Sequence, residues 1–172
     1  MKRIILAFLF SVLLLVSGAS AQWQDVGKLN TWTYKTISRA ANNYEDSIYL
    51  KHVRIAKGNG YDRLVFEFIG GIPRYLVEPS KKGSFENTAE EFVKVGGKSF
   101  VYVNLQTLPY PENDKDDAKI PSGNQHLPVF NEITEIEWFE GVRDFGIGLN
   151  ARNMFRVQEF TNPYRLVIDF KH

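Results

Sequence analysis

The sequence contains no cysteine and only three histidines. Without cysteine, the chain can form no disulfide, no thiol nucleophile and no cysteine-ligated zinc site. His52, His126 and His172 do not stand at metal-ligand spacing from one another. A catalytic triad would have to be assembled from distant positions, and there is no nucleophile elbow or phosphate loop. We therefore predict a chain that is not an enzyme and has no cofactor or metal, with a small hydrolase kept as an alternative.

The chain also lacks an excess of charge of either sign, since 21 Lys and Arg face 20 Asp and Glu. This balance gives no electrostatic reason to expect a nucleic acid or an anionic membrane surface as partner. An acidic run at residues 112–117 could attract Ca²⁺, whose ligands are clustered oxygens. The calcium-loop pattern fails after its second acidic position, because Ala118 stands where a ligand is required and the glycine of the sharp turn does not follow. We predict a solvated loop here, with calcium binding as the alternative.

The one long apolar run lies at the N-terminus. Lys2 and Arg3 precede a stretch that is apolar over residues 4–16 except for one serine, and Ala19-Ser20-Ala21 supplies a small-residue cleavage site. The run is shorter than the roughly 20 residues that a membrane-spanning helix needs. We therefore predict a signal peptide over residues 1–21, an exported chain in the periplasm or outside the cell, and no membrane span after cleavage. An uncleaved anchor is the alternative.

Two later stretches share one alternating pattern. Residues 163–170 read Pro-Tyr-Arg-Leu-Val-Ile-Asp-Phe, and residues 61–68 read Tyr-Asp-Arg-Leu-Val-Phe-Glu-Phe. Alternation with a period of two is typical of a half-buried strand, because successive side chains leave opposite faces. Each copy follows a turn and a preceding strand. We predict that they are the two central strands of one β domain with two related halves.

Further strands and two irregular segments complete the predicted organisation. The other strands are predicted over residues 49–56, 74–78, 91–95, 99–105, 133–139, 145–149 and 154–160. Gly96-Gly97 indicates a hairpin between two of them, and the strand 99–105 is apolar on both faces and so should be central. Residues 22–47 form an N-terminal extension that lies on the domain or is partly mobile, and residues 107–128 form a long loop.

This pattern predicts an all-β fold. Frequent turns and the lack of a convincing long helix favour a single-domain β-sandwich or small barrel of roughly eight mostly antiparallel strands over residues 48–172. We call the two similar stretches, residues 61–68 and 163–170, the signature strands. Their polar residues are predicted to form cross-strand ion pairs, namely Arg63, Glu67, Arg165 and Asp169.

Two glycines inside a predicted strand give the first candidate binding site. Gly146 and Gly148 share one face of residues 145–149, and glycines within a strand mark close approach by a backbone, a large side chain or a ligand. Arg156 and Gln158 lie on the polar face of the next strand. Together these four residues predict a groove for a polar polymer, although packing of another element on the glycines explains them equally well.

Aromatic residues give the second candidate. Trp138 or Tyr102 could stack on sugar rings at an exposed face, but most of the thirteen Phe must form the core. Because Trp138 shares a predicted face with Ile136, burial is favoured for this side chain.

Several motifs in a fixed order resemble the AMIN-like domain found in exported bacterial proteins. The resemblance covers about residues 48–172 and is carried by Gly60-Tyr61-Asp62-Arg63-Leu64-Val65-Phe66-Glu67-Phe68 with Gly71, Phe139-Glu140-Gly141-Val142, Phe145-Gly146-Ile147-Gly148-Leu149, Phe155-Arg156-Val157 and Asn162-Pro163-Tyr164-Arg165-Leu166-Val167-Ile168-Asp169. The better-known AMIN domains, to which this group looks related, are non-catalytic β modules that accompany cell-wall amidases and secretin-type complexes.

The resemblance implies a non-catalytic binding module of the bacterial cell envelope, with peptidoglycan or another envelope glycan as partner. An alternative is recognition of an envelope or secretion protein complex, through an edge strand or the loop at residues 107–128. No catalytic companion domain is predicted beside the module.

Overall fold

The protein has an all-β architecture in a computed structural model that describes residues 29–40, 48–107 and 118–172. The predicted signal peptide and the acidic run at residues 112–117 lie outside the described residues. Within these ranges, no helix is long and apolar enough to cross a membrane. The strands are β1 (Ile37–Arg39), β2 (Tyr49–Lys57), β3 (Tyr61–Ile69), β4 (Arg74–Ser80), β5 (Ser84–Glu86), β6 (Phe92–Lys94), β7 (Ser99–Gln106), β8 (Phe130–Phe139), β9 (Val142–Leu149), β10 (Phe155–Thr161) and β11 (Tyr164–Lys171).

The strands form two main antiparallel sheets that pack as a sandwich, which is the first of the two predicted architectures. One sheet has the order β1-β4-β7-β9-β8, and the other has the order β10-β11-β3-β2. Strand β7 lies in the middle of the five-stranded sheet, and β3 and β11 are the inner strands of the four-stranded sheet, as predicted. A separate pair, β5 and β6, forms a small two-stranded unit.

The core lies between the two sheets and is built by the predicted alternation. Leu166, Ile168 and Phe170 of β11 are completely buried. Rings from opposite sheets meet there, since the centroids of Phe66 and Phe145 are 5.2 Å apart. Each such side chain contributes about 1.5–3 kcal/mol when it leaves water, so the alternating strands are the main source of stability.

The two signature strands pair directly with each other. Their antiparallel register sets Arg63 opposite Asp169 and Arg165 opposite Glu67, because both copies have the same spacing from Arg to acid. An ion pair joins Arg63 Nε to Asp169 Oδ1 at 2.6 Å, which confirms the predicted cross-strand pair at this end. At the other end, Glu67 binds Arg54 of the neighbouring strand β2 at 2.6 Å.

One predicted pairing and the predicted end of one strand, residue 78, differ from the structure. The predicted hairpin at Gly96-Gly97 is wrong, because β6 pairs with β5 while β7 pairs with β4 and β9. Pro79 does not end β4, which continues to Ser80. Strand β1 pairs with β4 only as far as Val77, so Pro79 stands where β4 has a single neighbour and a missing N–H is tolerated.

The described part of the N-terminal extension lies along the domain. Its strand β1 extends the five-stranded sheet, with Ile37 opposite Val77. A few residues earlier, Thr33 pairs with Phe155 at the beginning of β10 in the other sheet. An ion pair between Arg39 and Glu159 closes the same side of the sandwich. The extension therefore joins the edges of the two sheets.

Candidate functional site

The two glycines of the predicted groove lie beneath another part of the chain. A Cβ atom on Gly146 would stand 2.5 Å from Val95 Cγ2 and 3.0 Å from a ring carbon of Phe85. A Cβ on Gly148 would overlap the backbone carbonyl oxygen of Gly96. The β5–β6 unit and the segment after it thus cover the outer face of β9. Packing, the alternative that the sequence left open, accounts for both glycines.

The other half of the predicted groove lies in a different sheet. Arg156 and Gln158 are on β10 of the four-stranded sheet, whereas Gly146 and Gly148 are on β9 of the five-stranded sheet. The chain crosses from one sheet to the other between these strands. The structure therefore does not bring the four residues together as one groove.

Trp138 is 41% exposed at the end of the edge strand β8, so the predicted burial is wrong. The pairing of β8 with β9 is irregular between Glu135 and Glu137, and the simple alternation that aligned Trp138 with Ile136 breaks there. The indole ring lies against the guanidinium of Arg143, with 4.5 Å from the Arg143 Cζ to the ring centroid.

Arg156 and Gln158 instead join a cluster on the outer face of the four-stranded sheet, centred on Asp169. The Asp169 side chain is completely buried. Its Oδ1 accepts from Arg63 Nε at 2.6 Å, and its Oδ2 accepts from Arg63 Nη2 at 2.9 Å. The same Oδ2 also accepts from Arg156 Nε at 2.9 Å and from Gln158 Nε2 at 2.8 Å.

Aromatic rings flank the two guanidinium groups. The Arg156 Cζ lies 4.6 Å from the ring centroid of Trp32 and 5.3 Å from that of Tyr61. The Arg63 Cζ lies 4.9 Å from the Tyr61 ring, and Lys171 Nζ lies 5.9 Å from the Trp32 ring. We call this set the arginine face; it consists of Trp32, Tyr61, Arg63, Arg156, Gln158, Asp169 and Lys171.

The arginine face carries three cations and one carboxylate. The hydrogen bond from Arg63 to Asp169 raises the pKa of Arg63 above its usual value, so this guanidinium stays charged. The side chains of Arg63 and Arg156 are 30% and 22% exposed. Because a single buried carboxylate fixes both, the face presents N–H donors in a set orientation with a net positive charge. Such a surface suits hydroxyl, carbonyl and carboxylate groups of a ligand.

The family model named AMIN-like domain matches residues 48–172. The chain belongs to the AMIN-like domain family. The family is associated with the bacterial envelope, and its domains are generally non-catalytic binding modules. No curated protein and no solved structure matches the chain. In this AMIN-like domain, every residue of the arginine face lies in the matched range except Trp32, which the N-terminal extension supplies.

The sequence pointed to only part of the arginine face of this AMIN-like domain. It singled out Arg156 and Gln158 as candidates and Arg63 and Asp169 as an ion pair, because strand alternation shows which residues share a face. Strand β11, which carries Asp169, lies between β10, which carries Arg156 and Gln158, and β3, which carries Arg63. The central position of Asp169 follows only from this strand order. Trp32 had no signal, since it lies in an irregular segment.

A second polar cluster lies on the outer face of the five-stranded sheet, beside the β5–β6 unit. Asn104 Nδ2 donates to Asp144 Oδ1 at 2.6 Å, and the ring of Phe85 stacks on Tyr102 at 5.9 Å. Burial raises the pKa of Asp144 above its usual 3.8, and burial likewise raises the pKa of the Tyr102 hydroxyl. A cleft of about 760 Å³ borders this cluster.

The Asp144 cluster has one property of a general acid, a carboxyl with a raised pKa. Its hydrogen-bond partners Asn104 and Tyr102 are not nucleophiles, and the nearby carboxylate of Glu137 accepts from the backbone N–H of Thr88. Among the residues that the structure describes, no group of three or more His, Asp and Glu could hold a metal ion. The cluster is accounted for as polar packing beneath the β5–β6 unit.

Proposed function

We propose that this AMIN-like domain is exported and binds a glycan of the bacterial cell envelope through the arginine face, without catalysing a reaction. Peptidoglycan is the proposed ligand. The observation that carries the proposal is the pair of partly exposed guanidinium groups that Asp169 holds between aromatic rings on the outer face of the four-stranded sheet.

Preorganisation is the first argument for binding. A flexible arginine loses side-chain entropy when it orders on a ligand, whereas the guanidiniums of Arg63 and Arg156 are already oriented by bonds of 2.6–2.9 Å to Asp169. Five N–H donors on each guanidinium exceed what one carboxylate can accept. The face can therefore offer further donors to a ligand without rearranging.

Chemical fit is the second argument. Peptidoglycan combines sugar hydroxyls, amides and carboxylates, all of which accept hydrogen bonds from guanidinium groups. The rings of Trp32 and Tyr61 add apolar surface next to these donors. The excess of three cations over one carboxylate favours a polymer that carries negative charge, and part of the binding should weaken as salt rises.

Co-sedimentation with purified peptidoglycan sacculi over a range of salt tests the proposal. We expect the purified protein to pellet with sacculi, and Arg156→Gln to weaken pelleting by about tenfold or more, because a hydrogen bond to a charged group contributes roughly 1.5–3 kcal/mol. Arg165→Gln is the matched control. It removes one positive charge from the same sheet, at the end where Arg165 lies over the ring of Phe160.

The two variants separate a specific face from general charge attraction. If Arg156→Gln and Arg165→Gln weaken pelleting equally, the arginine face is not the site. If the unaltered protein does not pellet, the glycan proposal fails. The supernatant is assayed for released muropeptides, and their release at a rate above the background would contradict the non-catalytic role.

Recognition of an envelope protein complex is the second candidate, and the edge strand β8 favours it. Its last residues, Trp138 and Phe139, are 41% and 52% exposed. Among the described residues, no strand pairs with the outer edge of β8, and an edge strand that ends in exposed aromatic residues can add a strand from another protein. Absence of pelleting, together with envelope proteins that co-purify through cross-links to β8, would favour this function.

A further inference from the structure

A second concave site lies at one end of the sandwich, where β4 ends and β7 begins. This pocket has a volume of about 380 Å³ and lies between the described N-terminal segment and the turn that precedes β10. The size is within the range of small-molecule sites, about 300–1,000 Å³. We call it the Tyr34 pocket; the residues used below are Tyr34, Lys81, Lys98, Phe100, Arg152 and Asn153. None of them belongs to the arginine face.

The charge of the Tyr34 pocket is of one sign. Lys81, Lys98 and Arg152 line it, and no Asp or Glu is among the described residues that line it. In a chain with 21 basic and 20 acidic residues, such a grouping is local rather than a result of composition. Three cations around one cavity, with no carboxylate in this described lining, favour an anionic ligand.

Arg152 is oriented by an aromatic ring. Its Cζ lies over the ring of Tyr34, 4.9 Å from the centroid. A cation–π contact of this kind uses no hydrogen-bond acceptor, so the N–H groups of the guanidinium can still form a bidentate pair with a carboxylate. Tyr34 itself is 46% exposed, and its ring forms one wall of the pocket.

Phe100 and Asn153 complete the walls of the pocket. Phe100 supplies apolar surface. Asn153 is held in place, because its Nδ2 donates to the carbonyl oxygen of Lys171 at 2.8 Å. Its Oδ1 has almost no accessible surface, so a ligand does not reach this oxygen while the pocket keeps this shape.

We propose that the Tyr34 pocket binds a small carboxylate with a body of about one sugar ring or one dipeptide. Arg152 and the two lysines hold the carboxylate, and Tyr34 and Phe100 pack against the body. An N-acetylated sugar acid and the C-terminus of an acylated dipeptide both have this chemistry. The proposal is independent of the glycan site, because the two residue sets do not overlap.

Calorimetric titration of the purified protein with three defined probes tests the pocket. N-acetylmuramic acid and N-acetyl-D-alanyl-D-alanine each carry a carboxylate and an acylated N–H, whereas N-acetylglucosamine has the ring and the N–H without the carboxylate. We expect at least one of the two carboxylates to bind at least tenfold more tightly than N-acetylglucosamine. The tighter of the two identifies the source as sugar or peptide.

Variants locate the binding. Arg152→Gln should weaken carboxylate binding at least tenfold, and Arg152→Lys should weaken it less, because the charge remains and the planar fork is lost. Arg165→Gln, which lies outside both proposed sites, should leave it unchanged, and thermal unfolding checks that each variant is folded. Equal binding of N-acetylglucosamine, no binding of either carboxylate, or an Arg152→Gln variant that binds like the unaltered protein would each overturn the proposal. Probe binding without sacculus binding would leave the pocket standing and remove only the glycan proposal.

Discussion

The outer faces of the two sheets are built in opposite ways. On the five-stranded sheet, Gly146 and Gly148 have no side chains, and the β5–β6 unit with Gly96 occupies the space. On the four-stranded sheet, the outer surface is instead occupied by long charged side chains that converge on Asp169. We call the first the covered face and the second, on which no further strand of the described residues packs, the open face. Glycine in a strand therefore marks self-packing here, whereas the ion cluster lies on the face that we propose for ligand binding.

The comparison predicts that the open face depends most on Asp169. Asp169→Ala should lower the free energy of unfolding by about 3–5 kcal/mol, because it leaves two guanidiniums around a site with no carboxylate. Glu67→Ala is the matched control, since Glu67 lies on the same outer face but binds Arg54, whose side chain is 54% exposed. Urea unfolding at neutral pH measures both, and we expect the control to lose far less. Equal losses would mean that the Asp169 cluster is not special.

On the covered face, the largest effect should come from Gly148. Gly148→Ala places a Cβ against the Gly96 carbonyl, and a backbone atom cannot move aside cheaply, so we expect a loss of about 1–3 kcal/mol. Gly146→Ala should cost less, because its new Cβ meets the side chains of Val95 and Phe85, which can change rotamer. Urea unfolding of the two variants provides the measurement. A loss at Gly146 as large as that at Gly148 would contradict this account of the covering unit.

The alternating strands of both faces could be predicted from the sequence, and the covering unit could not. A period of two over eight residues in β3 and β11 specifies a buried and an exposed side for each strand, which was enough to predict central strands and cross-strand ion pairs, of which the Arg63–Asp169 pair forms. Strands β5 and β6 have three residues each, too few for any period to show. Their pairing was therefore missed, and Gly96-Gly97 was interpreted as a hairpin turn.

The candidate sites depended even more on contacts between distant parts of the chain. The glycine pattern left packing and ligand binding equally open, and only the position of Gly96 over Gly148 decides between them. Trp32 and Tyr34 lie in an extension without periodicity. Each becomes part of a candidate site through its contact with an arginine more than a hundred residues later, Trp32 with Arg156 and Tyr34 with Arg152. Local sequence rules contain no information about such pairs.

The smallest predicted effect concerns Asp144, which lies beside Tyr102 at the border of the covered face. Burial raises the pKa of Asp144 above 3.8, so the folded state holds this proton more tightly than the unfolded state does. Stability contributed by the protonated form is therefore lost as pH rises through the raised pKa. We expect Asp144→Asn to increase the free energy of unfolding at pH 7 by up to about 1 kcal/mol, since solvent still screens a half-buried charge.

The pH dependence of this gain distinguishes the mechanism from a simple packing change. Urea unfolding at several pH values should show the advantage of Asp144→Asn shrinking as the pH falls toward 3.8, the ordinary value for Asp, where the native carboxyl is also neutral. Glu140→Gln, at an exposed turn between β8 and β9, removes one carboxylate without a burial change and should show no such trend. A loss for Asp144→Asn that is largest at pH 7 and disappears as the pH falls would mean that Asn104 and Tyr102 require a charged acceptor, and the covered face would then depend on its carboxylate as the open face depends on Asp169.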